Sequence, residues 1–149
     1  MTKGGRSAIA ATTGNEDCHI ILRGGHQPYY DRASVDAACL ELVRAGVAPQ
    51  LMIDTSHANS SKKPENQPLV VADIAQQISS GEQRITGVMI ESNLVAGRQA
   101  VVPGKPLTYG QSITDGCIDW ETTVSALNVL ADAVATRRSA RSVPEERSA

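Results

Sequence analysis

Three short apolar runs punctuate the chain: CHIIL (18–22), QLMI (50–53) and ITGVMI (85–90). Each is a near-continuous block that ends at a charged residue, with no strict alternation of apolar and polar positions. Strands of that kind are covered on both faces, as in parallel sheets. Between the runs the period changes. Val35, Ala38, Cys39, Leu42 and Val43 recur at helical spacing and share one face, with Ser34 placed to cap the start and Gly46 the end. Val71, Ile74, Ala75 and Ile78 repeat the pattern, closed by Gly81. A third helix is expected from Asp119 to about Arg138, its inner face made by Val124, Leu127, Ala131 and Val134. Segment 92–114 is rich in Gly and Pro and contains PGKPLTYG, so it reads as a long loop. Alternating strand and helix with strands of this type predicts an α/β fold, either doubly wound or a barrel.

Composition narrows this picture. The 149 residues suit one domain. Aromatic content is 3% with no Phe, so any core must be built from Ile, Leu, Val and Ala, which is thin material for independent folding. The net charge is −2 and no basic run interrupts a periodic segment, which argues against nucleic acid or an anionic membrane surface as partner. The one basic cluster, RRSARS (137–142), reads as a solvated terminus, with a binding patch as the alternative. Cys18, Cys39 and Cys117 are odd in number and form no CxxC, and no apolar run approaches the roughly 18 residues of a membrane span. With no signal peptide visible either, reduced thiols and a cytoplasmic location are expected. Cys18 and Cys39 read as small buried hydrophobes, Cys117 as a packed neighbour of Asp115, and His19 as a satisfied core or rim residue.

The candidate chemistry lies at the strand exits. The first run is followed by Arg23, the second by Asp54 with His57 just beyond, the third by Glu91. Arg23, His57 and Glu91 follow one another at intervals of 34 residues, close to the period of about 31 of a (β/α)₈ barrel. Parallel strands share one carboxyl rim, so these groups would converge there, and Asp115 can reach the same mouth from the loop after the third strand. Singly, His57 is compatible with an ordinary loop histidine, Glu91 with a salt-bridge residue and Arg23 with a rim charge. Together they charge every strand exit, which serves no packing purpose. One imidazole and two carboxylates suit Mn²⁺, Fe²⁺, Co²⁺ or Zn²⁺ better than a closed structural zinc.

Four segments carry a resemblance: SAIAATTGNEDCHIILRGG (7–25), MIDTSHANSSK (52–62), GVMIESNLVAG (87–97) and YGQSITDGCIDWE (109–121). In this order and spacing they resemble the class I (type Iα) 3-deoxy-D-arabino-heptulosonate 7-phosphate (DAHP) synthases, from about Thr2 to about Arg138. The resemblance implies a metal-dependent (β/α)₈ barrel that condenses phosphoenolpyruvate with erythrose 4-phosphate and water, releasing phosphate, at the entry to the shikimate pathway. It implies that Arg23 holds the phosphate of phosphoenolpyruvate, that His57, Glu91 and Asp115 are three of four ligands to a divalent metal, with His57 and Asp115 catalytic, and that Asp54 orients a ligand from behind.

The departures are as informative. The family's enzymes are more than twice as long, and this chain would begin near the end of the fifth barrel strand. The family's fourth ligand, a cysteine, and its KPRT-type substrate loop have no counterpart, and the family's TKWGHSAI stands here as TKGGRSAI. Residues 1–138 are therefore expected to form about three βα units of a barrel, and 139–149 a polar tail. Open sheet edges and an uncovered inner face predict a chain that is marginal alone, that self-associates as a homo-oligomer, or that needs a complementing N-terminal half. A synthase portion inactive by itself and a non-catalytic remnant that modulates a full-length enzyme are the two functions compatible with this.

Overall fold

The computed structural model describes residues 5, 7–15 and 17–141. Residues 2–4 and 6 of the TKGGRSAI segment, and the end of the basic cluster and the tail beyond 141, lie outside that range. The elements are β1 (Ile20–Leu22), α1 (Arg32–Arg44), β2 (Leu51–Asp54), α2 (Gln67–Ser79), β3 (Ile85–Met89), β4 (Val95–Arg98), β5 (Gln111–Ser112) and α3 (Trp120–Arg141). β1, β2 and β3 form one parallel sheet in chain order, with Leu22 opposite Ile53 and Asp54 opposite Met89. Each parallel connection carries a helix, α1 and then α2, as βαβ geometry requires. Among the described residues, no helix is long and apolar enough to cross a membrane.

The core sits where β2 meets the helices. Leu51 and Ile53 are fully buried with Val35, Cys39, Val70, Val71, Ile74, Ile78 and Ile85, and α3 joins against α2 through Ala126, Leu130 and Ala133. All four residues expected on the inner face of α2 are buried. β2 is the best covered strand of the sheet, with Met52 alone half-buried. Ile20 and Met89 are exposed, so β1 and β3 lack the two-sided cover expected of the apolar runs. Both lie at the margins of the three-stranded sheet.

Helix boundaries follow local hydrogen bonding. α1 starts two residues before Ser34, because Asp31 is the cap: its Oδ1 accepts from the Ser34 N–H at 2.7 Å. At the other end Gly46, in the left-handed region at φ 72°, lets Val47 N–H reach the Leu42 carbonyl and Gly46 N–H the Val43 carbonyl, the two bonds of a Schellman stop. Val43 is exposed, outside the buried face. The inner face of α3 differs from the expected one. Thr123, Ala126, Leu130 and Ala133 are buried, Val124, Leu127 and Ala131 face solvent, and Val134 is half-buried. Apolar residues surround this helix, so the stripe with small side chains, which lets α2 approach, is the one that packs. The helix also runs through Arg141, past the expected limit at Arg138.

Segment 92–114 is more ordered than a loop. It contains β4 and β5, which pair in parallel, and the next stretch closes back on it: Gly97 and Cys117 exchange hydrogen bonds of 2.8 and 3.2 Å, and Ile118 N–H donates to the Glu91 carbonyl at 3.0 Å. These ties fix the segment carrying Asp115 beside the exit of β3. Cys18 precedes β1 and is exposed together with His19, whereas Cys39 and Cys117 are packed.

Candidate active site

Arg23 follows the last residue of β1, Asp54 ends β2, His57 lies three residues further, and Glu91 is two residues past β3. All four are thus at the carboxyl rim of one sheet, and Asp115 is brought there by the Gly97–Cys117 tie. Asp54 is the centre of the arrangement. Its carboxylate is wholly buried; Oδ2 accepts from Arg23 Nε at 3.1 Å and from His57 Nδ1 at 2.8 Å, while Oδ1 accepts from the backbone and hydroxyl of Ser56 at 2.8 and 2.5 Å. Four donors satisfy a buried anion that would otherwise be costly. The bond to Nδ1 fixes the tautomer, leaving Nε2 as an acceptor, and Arg23 Nη2 donates to it at 2.6 Å. His57 itself has φ 51°, a left-handed backbone costing about 1 kcal/mol in a residue with a Cβ. Ser61 and Lys62 are left-handed too, so strain gathers in this one loop, as at many functional sites.

Glu91 Oε1 lies 3.4 Å from His57 Nε2. Two acceptors facing each other across that gap, with a carboxylate of Asp115 near by, form a set calling for a cation. His57, Glu91 and Asp115 each offer a ligand atom, all within 4.8 Å of one another. Burial pushes the Glu91 carboxyl above its usual range; His57 counters this and the charges of Asp115 and Asp54 add to it. The donor set therefore fits a divalent ion, which would relieve the crowding of carboxylates. For the ring to ligate, Arg23 must release Nε2.

The same groups open onto a cavity of about 500 Å³, lined also by Ser60, Lys62 and Arg98. Lys62 and Arg98 lay in stretches read as loop, and only their charge marked them. Burial also raises the Cys117 thiol, which stays packed with Sγ 3.7 Å from the Asp115 carbonyl. Asn59, buried, ties the first two exits together: its Nδ2 donates to the carbonyls of Leu22 at 3.0 Å and Asp54 at 2.6 Å, and its Oδ1 accepts from Tyr29 N–H at 2.7 Å. A Cβ on Gly24, itself at φ 74°, would fall 2.8 Å from that Oδ1, so the turn after Arg23 can be taken only by glycine.

The family model described as "DAHP synthetase I family" matches residues 3–128. The chain belongs to this family. Among its relatives in the DAHP synthetase I family, the phospho-2-dehydro-3-deoxyheptonate aldolase of Haemophilus influenzae is 52% identical over 143 residues, which is 95% of this chain and 40% of that protein. The Phe-sensitive aldolase of Escherichia coli K12 is 54% identical over 138 residues, 93% of this chain and 39% of its own length. A solved structure of the aldolase from Francisella tularensis SCHU S4 superposes with a TM-score of 0.81 at 51% identity, covering 92% of this chain and 40% of that one. The chain thus spans about 40% of the length of these DAHP synthetase relatives.

Proposed function

We propose that this chain supplies the metal-binding and phosphate-binding part of a DAHP synthase site, which joins phosphoenolpyruvate to erythrose 4-phosphate and water and yields DAHP and phosphate. One observation carries the reading: His57, Glu91 and Asp115 converge beside Arg23 in a chain half identical to aldolases of that name. A divalent ion of the Mn²⁺, Fe²⁺, Co²⁺ or Zn²⁺ class, bound there, would supply Lewis-acid polarisation of the aldehyde oxygen. Arg23 is the phosphate-holding residue. Asp54 anchors it through Nε, and its outer nitrogens, once Nη2 leaves His57, present a planar fork to phosphate oxygens. Asp54 also keeps the imidazole turned so that Nε2 faces Glu91. Holding both groups with one carboxylate fixes the distance between phosphate and ion positions.

The three parallel strands would form an arc of a (β/α)₈ barrel, with strand edges covered by the complementing part of the fold. That part also brings the fourth ligand and the KPRT-type loop that the family resemblance implies. The chain alone is accordingly expected to give no turnover. Mixing it with the N-terminal portion of the Escherichia coli Phe-sensitive relative should restore phosphate release from the two substrates in the presence of Mn²⁺, and His57→Ala should abolish the restored activity. Equal restoration by the His57→Ala chain would remove the basis of this assignment.

A further inference from the structure

The parallel ladder of β1–β3 stops short of Glu91. Its last register pairs are Leu22 with Ile53 and Asp54 with Met89, followed by one bond from Thr55 N–H to the Met89 carbonyl. Glu91 lies beyond that point. Its carbonyl takes one backbone bond, from Ile118 N–H at 3.0 Å, but its N–H is held by a side chain. Gln67, the first residue of α2, is fully buried; its Nε2 donates to the Glu91 carbonyl at 2.9 Å and its Oε1 accepts the Glu91 N–H at 2.9 Å. The same Oε1 accepts from Thr55 Oγ1 at 3.0 Å. The amide thus stands where the peptide group of a neighbouring strand would stand, and extends the sheet by one residue at the position where the ion-facing carboxylate leaves it.

Resting on the metal-site reading above, we infer that Gln67 is a positioning residue for Glu91: it acts through the backbone of Glu91, and it sets the gap between that carboxylate and His57. A buried amide making these bonds with good geometry has no freedom to drift, and its link through Thr55 references Glu91 to the β2 exit, on which His57 also hangs. An apolar residue of equal size would fill the space and leave the Glu91 N–H unpaired, with Ile118 alone holding the carbonyl.

The test uses the full chain and Co²⁺ as a spectroscopic probe. Gln67→Met should weaken Co²⁺ binding at least tenfold, the range typical of groups that orient metal ligands. Inorganic phosphate binding, which depends on Arg23, should stay within about twofold of wild type by the same separation of roles. Asp31→Ala, which loosens the remote cap of α1, should leave the Co²⁺ affinity unchanged. Unaltered Co²⁺ affinity in Gln67→Met, or an equal loss in Asp31→Ala, overturns the inference. If the wild-type chain takes up no Co²⁺, the metal-site reading itself fails, and amide hydrogen exchange decides the role of Gln67. Protection of the Glu91 N–H in wild type, lost in Gln67→Met while the β2–β3 ladder stays protected, upholds it. An unprotected Glu91 N–H in wild type refutes it.

Discussion

Glu82 and Glu91 stand at opposite ends of β3 and have opposite environments. Glu82, almost wholly buried, accepts from the backbone of Gln83 and Arg84 at 2.9 and 2.8 Å and from Arg84 Nε at 2.8 Å. Arg84 extends to Asp36 on α1, and Arg137 on α3 donates to the Glu82 carbonyl. Those hydrogen bonds from Arg84 hold the Glu82 carboxyl down to about 2 and raise the guanidinium in turn. Burial pushes the Glu91 carboxyl up, and neither His57 nor a hydrogen bond from Ser56 reverses the shift. One rim is a closed network that fastens β3 to α1 and α3. The other holds more acceptors than donors, an arrangement that costs stability and is suited to receiving a cation. Both rims carry charged groups, so which of them is functional can be told from which charges are left wanting.

The largest expected consequence is at the closed rim. A carboxyl lowered from 4.5 to about 2 contributes about 3 kcal/mol at neutral pH. Glu82→Gln should lower the unfolding free energy by about that amount, the scale of breaking a buried pair. The sign fixes the pH window. A depressed folded value gives stability that is complete above the unfolded value of 4.5 and is lost as the pH falls towards 2. Urea midpoints of wild type and Glu82→Gln should therefore differ most at pH 7 and converge in that window. Retention of the full difference at pH 2 would place its source in packing.

A smaller effect separates location from role. Asp31 sits near the carboxyl rim but spends its charge on Ser34, whose side chain and N–H both hydrogen-bond to it and lower its carboxyl. Asp31→Ala should cost about 1 kcal/mol, as for other lost caps, read as a drop in melting temperature, without touching ion or phosphate binding. A rim carboxylate committed to a helix cap is a structural group.

The parallel strands, the helix between each pair and the convergence of Arg23, His57, Glu91 and Asp115 were all legible in the sequence. Their signals are local and periodic: a run of apolar residues followed by a charge, repeated at 34 residues. The face of α3 was not legible, because Val124, Leu127, Ala126 and Leu130 offer two apolar stripes and only the approach of α2 selects between them. β4 and β5 were hidden in a Gly- and Pro-rich stretch, since their pairing is irregular, β4 is mostly exposed and β5 is only two residues long. Gln67 and Asn59 gave no signal at all. A glutamine at a helix start and an asparagine among serines are ordinary, and their value lies in contacts 24 and 37 residues distant. The closed rim was missed for the same reason: Glu82, Arg84 and Asp36 look like surface charges until α1 and β3 are packed together.

The least change in stability, with reversed sign, is expected from Glu91→Gln. The substitution keeps the backbone bonds to Gln67 and the shape of the side chain, and removes a charge that burial, Asp115 and Asp54 disfavour. A raised folded value means that the ionised carboxylate costs stability at neutral pH, and that this cost disappears as the pH falls through the raised value towards 4.5. Glu91→Gln should accordingly be neutral or more stable than wild type by less than about 1 kcal/mol at pH 7, with the two chains converging at pH 4. The same variant should lose Co²⁺ uptake, since a neutral amide is a poor ligand where a carboxylate is needed. A glutamate whose removal stabilises the fold while abolishing ion binding is held there by function. If Glu91→Gln instead loses as much stability as Glu82→Gln, the two rims are alike and the carboxyl rim is one more structural network.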